Sequence, residues 1–257
     1  MVVEFYHAIV LGLVEGLTEF LPISSTAHLL MASQFLGIND DDMLFKNFAV
    51  VVQLGSILAL LALFWARFAS GSAFWVKILV AFLPTGALGF LFSNLIESLL
   101  SPSVIAYPLI LGGIVFIIIE ITHRGRRYAI SCFEEISFKQ AFIIGCFQSL
   151  AMIPGVSRSG ATIIGGLLLG FNRQTAAEFS FLLAFPTMVI ASGYSLFKHH
   201  DFFTLDYVGI LSAGMLVAFV TALVAMKALL GFIAHFSFIP FGIYRILIGI
   251  VFLFAFS

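Results

Sequence analysis

Charge is scarce in this chain. Lys, Arg, Asp and Glu together make up 10% of its 257 residues, whereas a soluble domain usually carries about a quarter. That scarcity, beside 61% hydrophobic residues, excludes a water-soluble enzyme and a disordered chain. The net charge of -1 leaves no basic footprint, so nucleic acid is not an expected partner. Cysteine is almost missing. Cys132 and Cys146 provide neither a close metal-ligand pair nor a disulfide framework. No basic residue precedes the first apolar stretch, which contains Glu15 and Glu19. A cleavable leader has a basic start and a clean apolar core, so this stretch is expected to belong to the mature protein. What the sequence has in quantity is Phe, with 31 residues, and long apolar runs. An all-α polytopic membrane protein is the expected class, with the bilayer as its solvent.

Eight apolar segments span about 8–36, 47–65, 76–96, 104–122, 140–171, 174–197, 207–231 and 238–256. Six of them match the roughly 20 residues a helix needs to cross. Segments 8–36 and 140–171 are longer, and each is interrupted near its middle. The first interruption reads Glu19-Phe20-Leu21-Pro22-Ile23-Ser24-Ser25-Thr26-Ala27-His28. The second reads Ile153-Pro154-Gly155-Val156-Ser157-Arg158-Ser159-Gly160-Ala161-Thr162. The two segments resemble each other in a common register. Gly12 aligns with Gly145, Glu15 with Gln148, Leu17 with Leu150, Ser24 with Ser157, Ser25 with Arg158 and Thr26 with Ser159. Tyr107 through Phe116 is echoed by Tyr244 through Phe252. An internal duplication accounts for this, with one repeat over about 1–122 and the other over about 137–257, both in a single membrane domain.

If each broken segment is a re-entrant helical hairpin, each half has three crossings and the second half is inverted. The expectation is therefore inverted-topology repeats, with six transmembrane helices and two re-entrant hairpins meeting near the midplane. Irregular backbone at that depth must be buried in protein or line a cavity. Arg67 and Lys77, together with Arg124, Arg126, Arg127 and Lys139, mark the cytoplasmic loops. Six spans put Arg173 on that side. They put Lys198 and the Asp40-Asp41-Asp42 loop outside. Eight spans exchange Arg173 and Lys198, and the count of positive charges does not separate the models.

Ionisable residues inside a membrane are costly and mark function. Glu15 and Glu19 are four apart, on one helical face. Two carboxylates in one cavity repel, and a hard divalent cation, magnesium or calcium, relieves that repulsion. The alternative is a structural pair bonded to neighbouring helices or to Arg158. After Pro22, Ser24, Ser25 and Thr26 can cap the next helix, or one hydroxyl, Ser25, can attack an electrophile with His28 as proton acceptor; a water activated by His28 or by the metal is the alternative attacking group. At the second break, the amides of a new helix, the Arg158 fork and the hydroxyls of Ser157, Ser159 and Thr162 form a phosphate cradle. Otherwise Arg158 merely neutralises Glu15 or Glu19. Gln53, Glu120, Glu178 and Arg245 read as structural, through cross-bundle hydrogen bonds, snorkelling or ion pairs near helix ends. His123, His199 and His200 read as loop residues in water.

The strings from Glu15 to His28 and from Pro154 to Thr162, with Gln53-Leu54-Gly55-Ser56-Ile57-Leu58-Ala59, resemble the undecaprenyl-diphosphate phosphatases of the bacitracin-resistance type over nearly the whole chain. The resemblance implies hydrolysis of the terminal phosphate of undecaprenyl diphosphate with a divalent metal, recycling the carrier lipid for peptidoglycan synthesis. It implies a bacterial inner-membrane protein whose site opens outward. Carried over by position, Glu15 and Glu19 are the acidic motif, expected to be catalytic and, from their spacing, to hold the metal. Ser25, His28 and Arg158 are catalytic. Ser24, Thr26, Ser157, Arg158, Ser159 and Thr162 bind diphosphate. Ala49 stands where the family pattern has Glu, so an acid there has no role in this chain. A different class, a secondary transporter or flippase of a phosphorylated lipid or anion, would use the same inverted-repeat site.

Overall fold

The computed structural model describes residues 4–38, 43–98, 102–123, 128–198 and 208–255. The acidic run 40–42, the basic residues 124, 126 and 127, and His199 and His200 lie outside them. The described residues form ten α-helices: α1 (Phe5–Thr18), α2 (Ser25–Phe35), α3 (Met43–Phe68), α4 (Ser72–Ser98), α5 (Pro102–Thr122), α6 (Phe138–Ser149), α7 (Arg158–Leu168), α8 (Arg173–Lys198), α9 (Val208–Ile233) and α10 (Ile239–Ala255). Among them, no strand occurs beyond one isolated bridge between Ile130 and Phe171. Five helices, α3, α4, α5, α8 and α9, are long and apolar enough to cross a membrane, and α10 is a shorter apolar helix. The chain is thus an all-helical, multi-pass membrane protein. Large apolar side chains such as Phe90, Phe197 and Phe254 stay exposed on its periphery, as a lipid-facing surface requires.

The two interrupted segments become helix pairs, α1–α2 and α6–α7. α1 ends at Thr18 and α6 at Ser149, and Pro22 and Pro154, which cannot donate to a helical ladder, keep either helix from resuming before the second member. A non-glycine residue with positive φ immediately precedes each second member: Ser24 at 73° and Ser157 at 72°. These are the residues that align between the two segments. Gly155, at φ 92°, completes the second break, and a Cβ there would lie 2.4 Å from the Ile105 carbonyl oxygen. A short 3-10 turn, Leu150–Met152, joins α6 to this break.

Packing follows the same correspondence. α1 lies along α9 as α6 lies along α4. α3 packs on α9 as α8 packs on α4, α3 lies against α8 and α5 against α10, whereas α7 packs on α8 without a comparable contact, among the described residues, between α2 and α3. Aligned glycines permit the close approaches. A Cβ on Gly12 would sit 2.5 Å from the Gly214 carbonyl oxygen, and one on Gly145 would sit 2.0 Å from that of Ala81.

One end of the molecule is tied by polar contacts. The Ala129 and Ile130 amides donate to the Gly170 carbonyl, and the Asn172 amide donates to Ile130. α6 therefore begins beside the end of α7. At the same end Arg67 pairs with Glu134 at 2.6 Å, and Lys77 donates to the Phe133 and Glu134 carbonyls. The Glu134 carboxyl is held below the usual carboxylate range by its own backbone amide first and by Arg67 second. Arg173 grips Glu120 through two bonds of 2.9 and 2.6 Å, and Glu120 also accepts from the Phe238 amide. The end of α5 and the starts of α8 and α10 are joined there.

Candidate active site where the two breaks meet

The two breaks face each other across one cavity of about 220 Å³. Its charged side comes from both. Arg158, the first residue of α7, donates to Glu19, just past the end of α1, at 2.7 Å. The pair is nearly buried, with side chains 13% and 6% exposed. Ser25, the first residue of α2, donates a short hydrogen bond to the other Glu19 oxygen. Glu19 thus holds the Arg158 guanidinium on one oxygen and the Ser25 hydroxyl on the other. The guanidinium also lies over the Phe20 ring and donates to the Ser180 carbonyl at 3.4 Å, which fixes its approach.

The second break supplies the cradle backbone. Ser157 caps α7 by accepting from the Gly160 amide at 3.1 Å. Ser159 reaches across to donate to the Leu21 carbonyl at 2.8 Å, and Thr162 donates to Ser180 at 2.6 Å. Ser24, Ser25, Thr26, Ser157, Arg158 and Glu19 line the cavity; Ser159 and Thr162 stand behind it and brace the breaks. Glu15 is also behind the wall, 1% exposed, beside Glu19 and Arg158. Its Oε1 is buried without a partner. His28 is placed differently from the Ser25–His28 couple read in the sequence. Its Nδ1 bonds the Ser24 carbonyl at 2.8 Å, so Nδ1 carries the proton. Its Nε2 then accepts from the Tyr244 hydroxyl at 2.8 Å. Ser25 donates its hydrogen bond to Glu19 instead.

Other groups were not assigned to the site from sequence. Gln53, Thr85, Gln148 and Thr187 form an uncharged polar wall. The Gln148 amide donates to both threonine hydroxyls, at 3.0 and 3.1 Å, and Ser192 donates to Gln53. The alignment of Gln148 with Glu15 was the available signal for this wall. Arg245, read as a snorkelling residue, is 1% exposed and reaches both breaks. Only its position among apolar residues marked it.

A multi-pass helical membrane protein thus gathers a buried arginine, a carboxylate, hydroxyls and a helix N-terminus around one cavity, a set of groups suited to an anion. The chain is a member of the family described as bacitracin resistance protein BacA, whose model matches residues 8–251. It is 56% identical to an undecaprenyl-diphosphatase of Wolinella succinogenes over 251 residues, 98% of each chain. It is 51% identical to one of Campylobacter jejuni over 98% of this chain and 95% of the relative. It is also 51% identical to one of Sulfurihydrogenibium sp. over 96% and 97%.

Proposed function

We propose that this protein is an integral membrane phosphatase that hydrolyses undecaprenyl diphosphate to undecaprenyl phosphate and inorganic phosphate. The observation that carries the chemistry is the Arg158–Glu19–Ser25 chain across the two breaks. The full-length relatives named undecaprenyl-diphosphatase supply the substrate. Neither the cavity nor the relatives favour a transporter.

The diphosphate enters against the N-terminus of α7. Its terminal phosphate takes the Arg158 Nη2–H that Glu19 otherwise accepts, together with a second guanidinium N–H, through the bidentate fit of guanidinium to phosphate. That exchange frees Glu19 to accept the Ser25 proton. The Ser25 oxygen attacks the terminal phosphorus, the bond to the bridging oxygen breaks, and undecaprenyl phosphate leaves. Water then cleaves the serine phosphoester and releases inorganic phosphate. His28, held by Ser24 and Tyr244, keeps the start of α2 in register. Ser24, Thr26 and Ser157 supply the remaining polar contacts to the diphosphate.

Glu15 and Glu19 fit a divalent cation, magnesium or calcium. They are adjacent carboxylates, and Glu15 keeps a buried oxygen without a partner. Among the described residues no group of three or more His, Cys, Asp and Glu side chains is gathered. Substrate oxygens and water would therefore complete the shell, as is usual for magnesium. When bound, such an ion neutralises charge on the phosphate under attack.

The same reading gives six spans, α3, α4, α5, α8, α9 and α10, with α1–α2 and α6–α7 as re-entrant hairpins of two inverted repeats. Two observations support it: α6 begins beside the end of α7, and the end of α5 and the starts of α8 and α10 gather on one side. The placement in the bacterial inner membrane, with the cavity opening outward, rests on the resemblance to the family.

The test is product analysis. Purified protein in detergent, given a prenyl diphosphate with magnesium, calcium or a chelator, should release inorganic phosphate and prenyl monophosphate in equal amounts. Absence of both products with every metal would overturn the reading. Transport assays in vesicles would then be the next measurement.

A further inference from the structure

Arg245 is the first of the largest fully buried side chains, 1% exposed in a helix otherwise made of apolar residues. All of its bonds go to backbone carbonyls. Nη1 donates to Pro22 at 3.1 Å, in the first break. Nη2 is shared between Gly155 at 3.1 Å and Val156 at 2.9 Å, in the second break. Nη2 also lies 3.1 Å from the Pro108 carbonyl, and Nε lies 3.3 Å from that of Leu109, both on α5. Among the described residues no carboxylate pairs with it. The fork sits where side chains have been removed. A Cβ on Gly112 would lie 2.2 Å from Nη2, and one on Gly160 would lie 2.9 Å from Nη1.

From a third element, α10, one planar group holds the backbone of both breaks. Irregular segments leave carbonyls without helical partners, and inside a membrane each such group must be satisfied by protein. Five fixed N–H donors suit that task; an ammonium has three on a flexible stem. The carbonyls held are within three residues of the groups that act. Pro22 lies between Glu19 and Ser25, and Gly155 and Val156 immediately precede Ser157 and Arg158. The neighbouring Tyr244 bonds His28 at 2.8 Å, so one turn of α10 grips the start of α2 and both breaks.

We propose that Arg245 is the positioning residue of the site. It sets the register of Glu19 and Ser25 against Ser157 and Arg158 by clamping the backbone of the two breaks, without touching substrate. This rests on the phosphatase reading for its kinetic consequence, but not for its structural one. Misplacing reacting groups by about 1 Å costs on the order of 100-fold, and the loss falls on kcat more than on KM.

Two variants remove the clamp differently. Arg245→Met takes away the donors. Gly112→Ala keeps them but places a methyl group where Nη2 lies. Both should lower kcat for phosphate release by at least about tenfold with KM changed by less than about threefold, and Arg245→Lys should restore part of the loss. In an Arg158→Ala background, Arg245→Met should cost far less than alone, because there is no longer an aligned guanidinium to misplace. Independently of activity, spin labels at 17 and 168, exposed sites on the two helix pairs, should give a narrow distance distribution in the parent protein and a broad one in Arg245→Met. That pair would be built in a background lacking Cys132 and Cys146. A folded Arg245→Met protein with parental kcat and a parental distance distribution would overturn the proposal. So would full additivity with Arg158→Ala, which indicates general destabilisation. If the parent releases no phosphate, the functional reading fails, and the distance measurement alone decides the role of Arg245.

Discussion

At the scale of single residues, the site is governed by how Glu19 divides its two oxygens. One holds Arg158 and the other holds Ser25, so substrate that captures Arg158 also releases the base. Ser25→Ala removes the attacking oxygen in this account. It should reduce kcat at least roughly 100-fold with little change in KM, measured by initial-rate phosphate release. The acidic pair separates by its metal response. Glu15→Gln and Glu19→Gln should each raise the metal concentration needed for half-activity; if they serve only Arg158, stability falls and the metal titration stays unchanged. These acids, the hydroxyls after Pro22 and the Arg158 motif were legible in sequence, because ionisable and hydroxyl residues inside apolar runs stand out. The partner of each was not. Ser25 at three residues from His28 suggested a couple along one helix. In the structure Ser24 turns through positive φ and brings Ser25 back to Glu19 instead. Arg245 was unreadable for the same reason: the carbonyls it holds are scattered over three segments far apart in the chain.

At the scale of elements, the interruptions are what make the cavity possible. Each is a place where a helix stops inside apolar surroundings and must find partners for its freed backbone. Ser157, Ser159 and Arg245 provide them. Both helix pairs were evident from Pro22 and Pro154, whereas their close fit against α9 and α4 depended on Gly12 and Gly145 having no side chain. Gly145→Ala places a methyl group against the Ala81 carbonyl, a rigid neighbour. It should destabilise the protein by about 1–3 kcal/mol, seen as a lower midpoint in thermal unfolding in detergent. A parental midpoint would mean that α6 can move away from α4 freely.

At the scale of the whole molecule, the order of elements in the second half repeats that of the first, and several corresponding helices pack reciprocally. Six spans leave Arg173 on the side of Arg67 and Lys77. Single cysteines at 173 and 198, in a background lacking Cys132 and Cys146, should give labelling at 198 and none at 173 when intact cells with an accessible outer face meet a membrane-impermeant thiol reagent. The reverse pattern would require eight spans and remove the shared midplane site. Loop charge could not decide this, since both models place equal numbers of positive residues inside.

The central claim is that groups from the two breaks act as one site on a lipid diphosphate. A double-mutant cycle of Glu19→Gln and Arg158→Ala, read by initial rates of phosphate release from undecaprenyl diphosphate, tests it most directly. Charge-assisted bonds to phosphate are worth about 1.5–3 kcal/mol each, so Arg158→Ala alone should lose at least roughly tenfold in kcat/KM. The account predicts that the double variant is little worse than the poorer single one, because each substitution disables the same step. Full activity in folded Arg158→Ala protein, or losses that simply multiply, would contradict it.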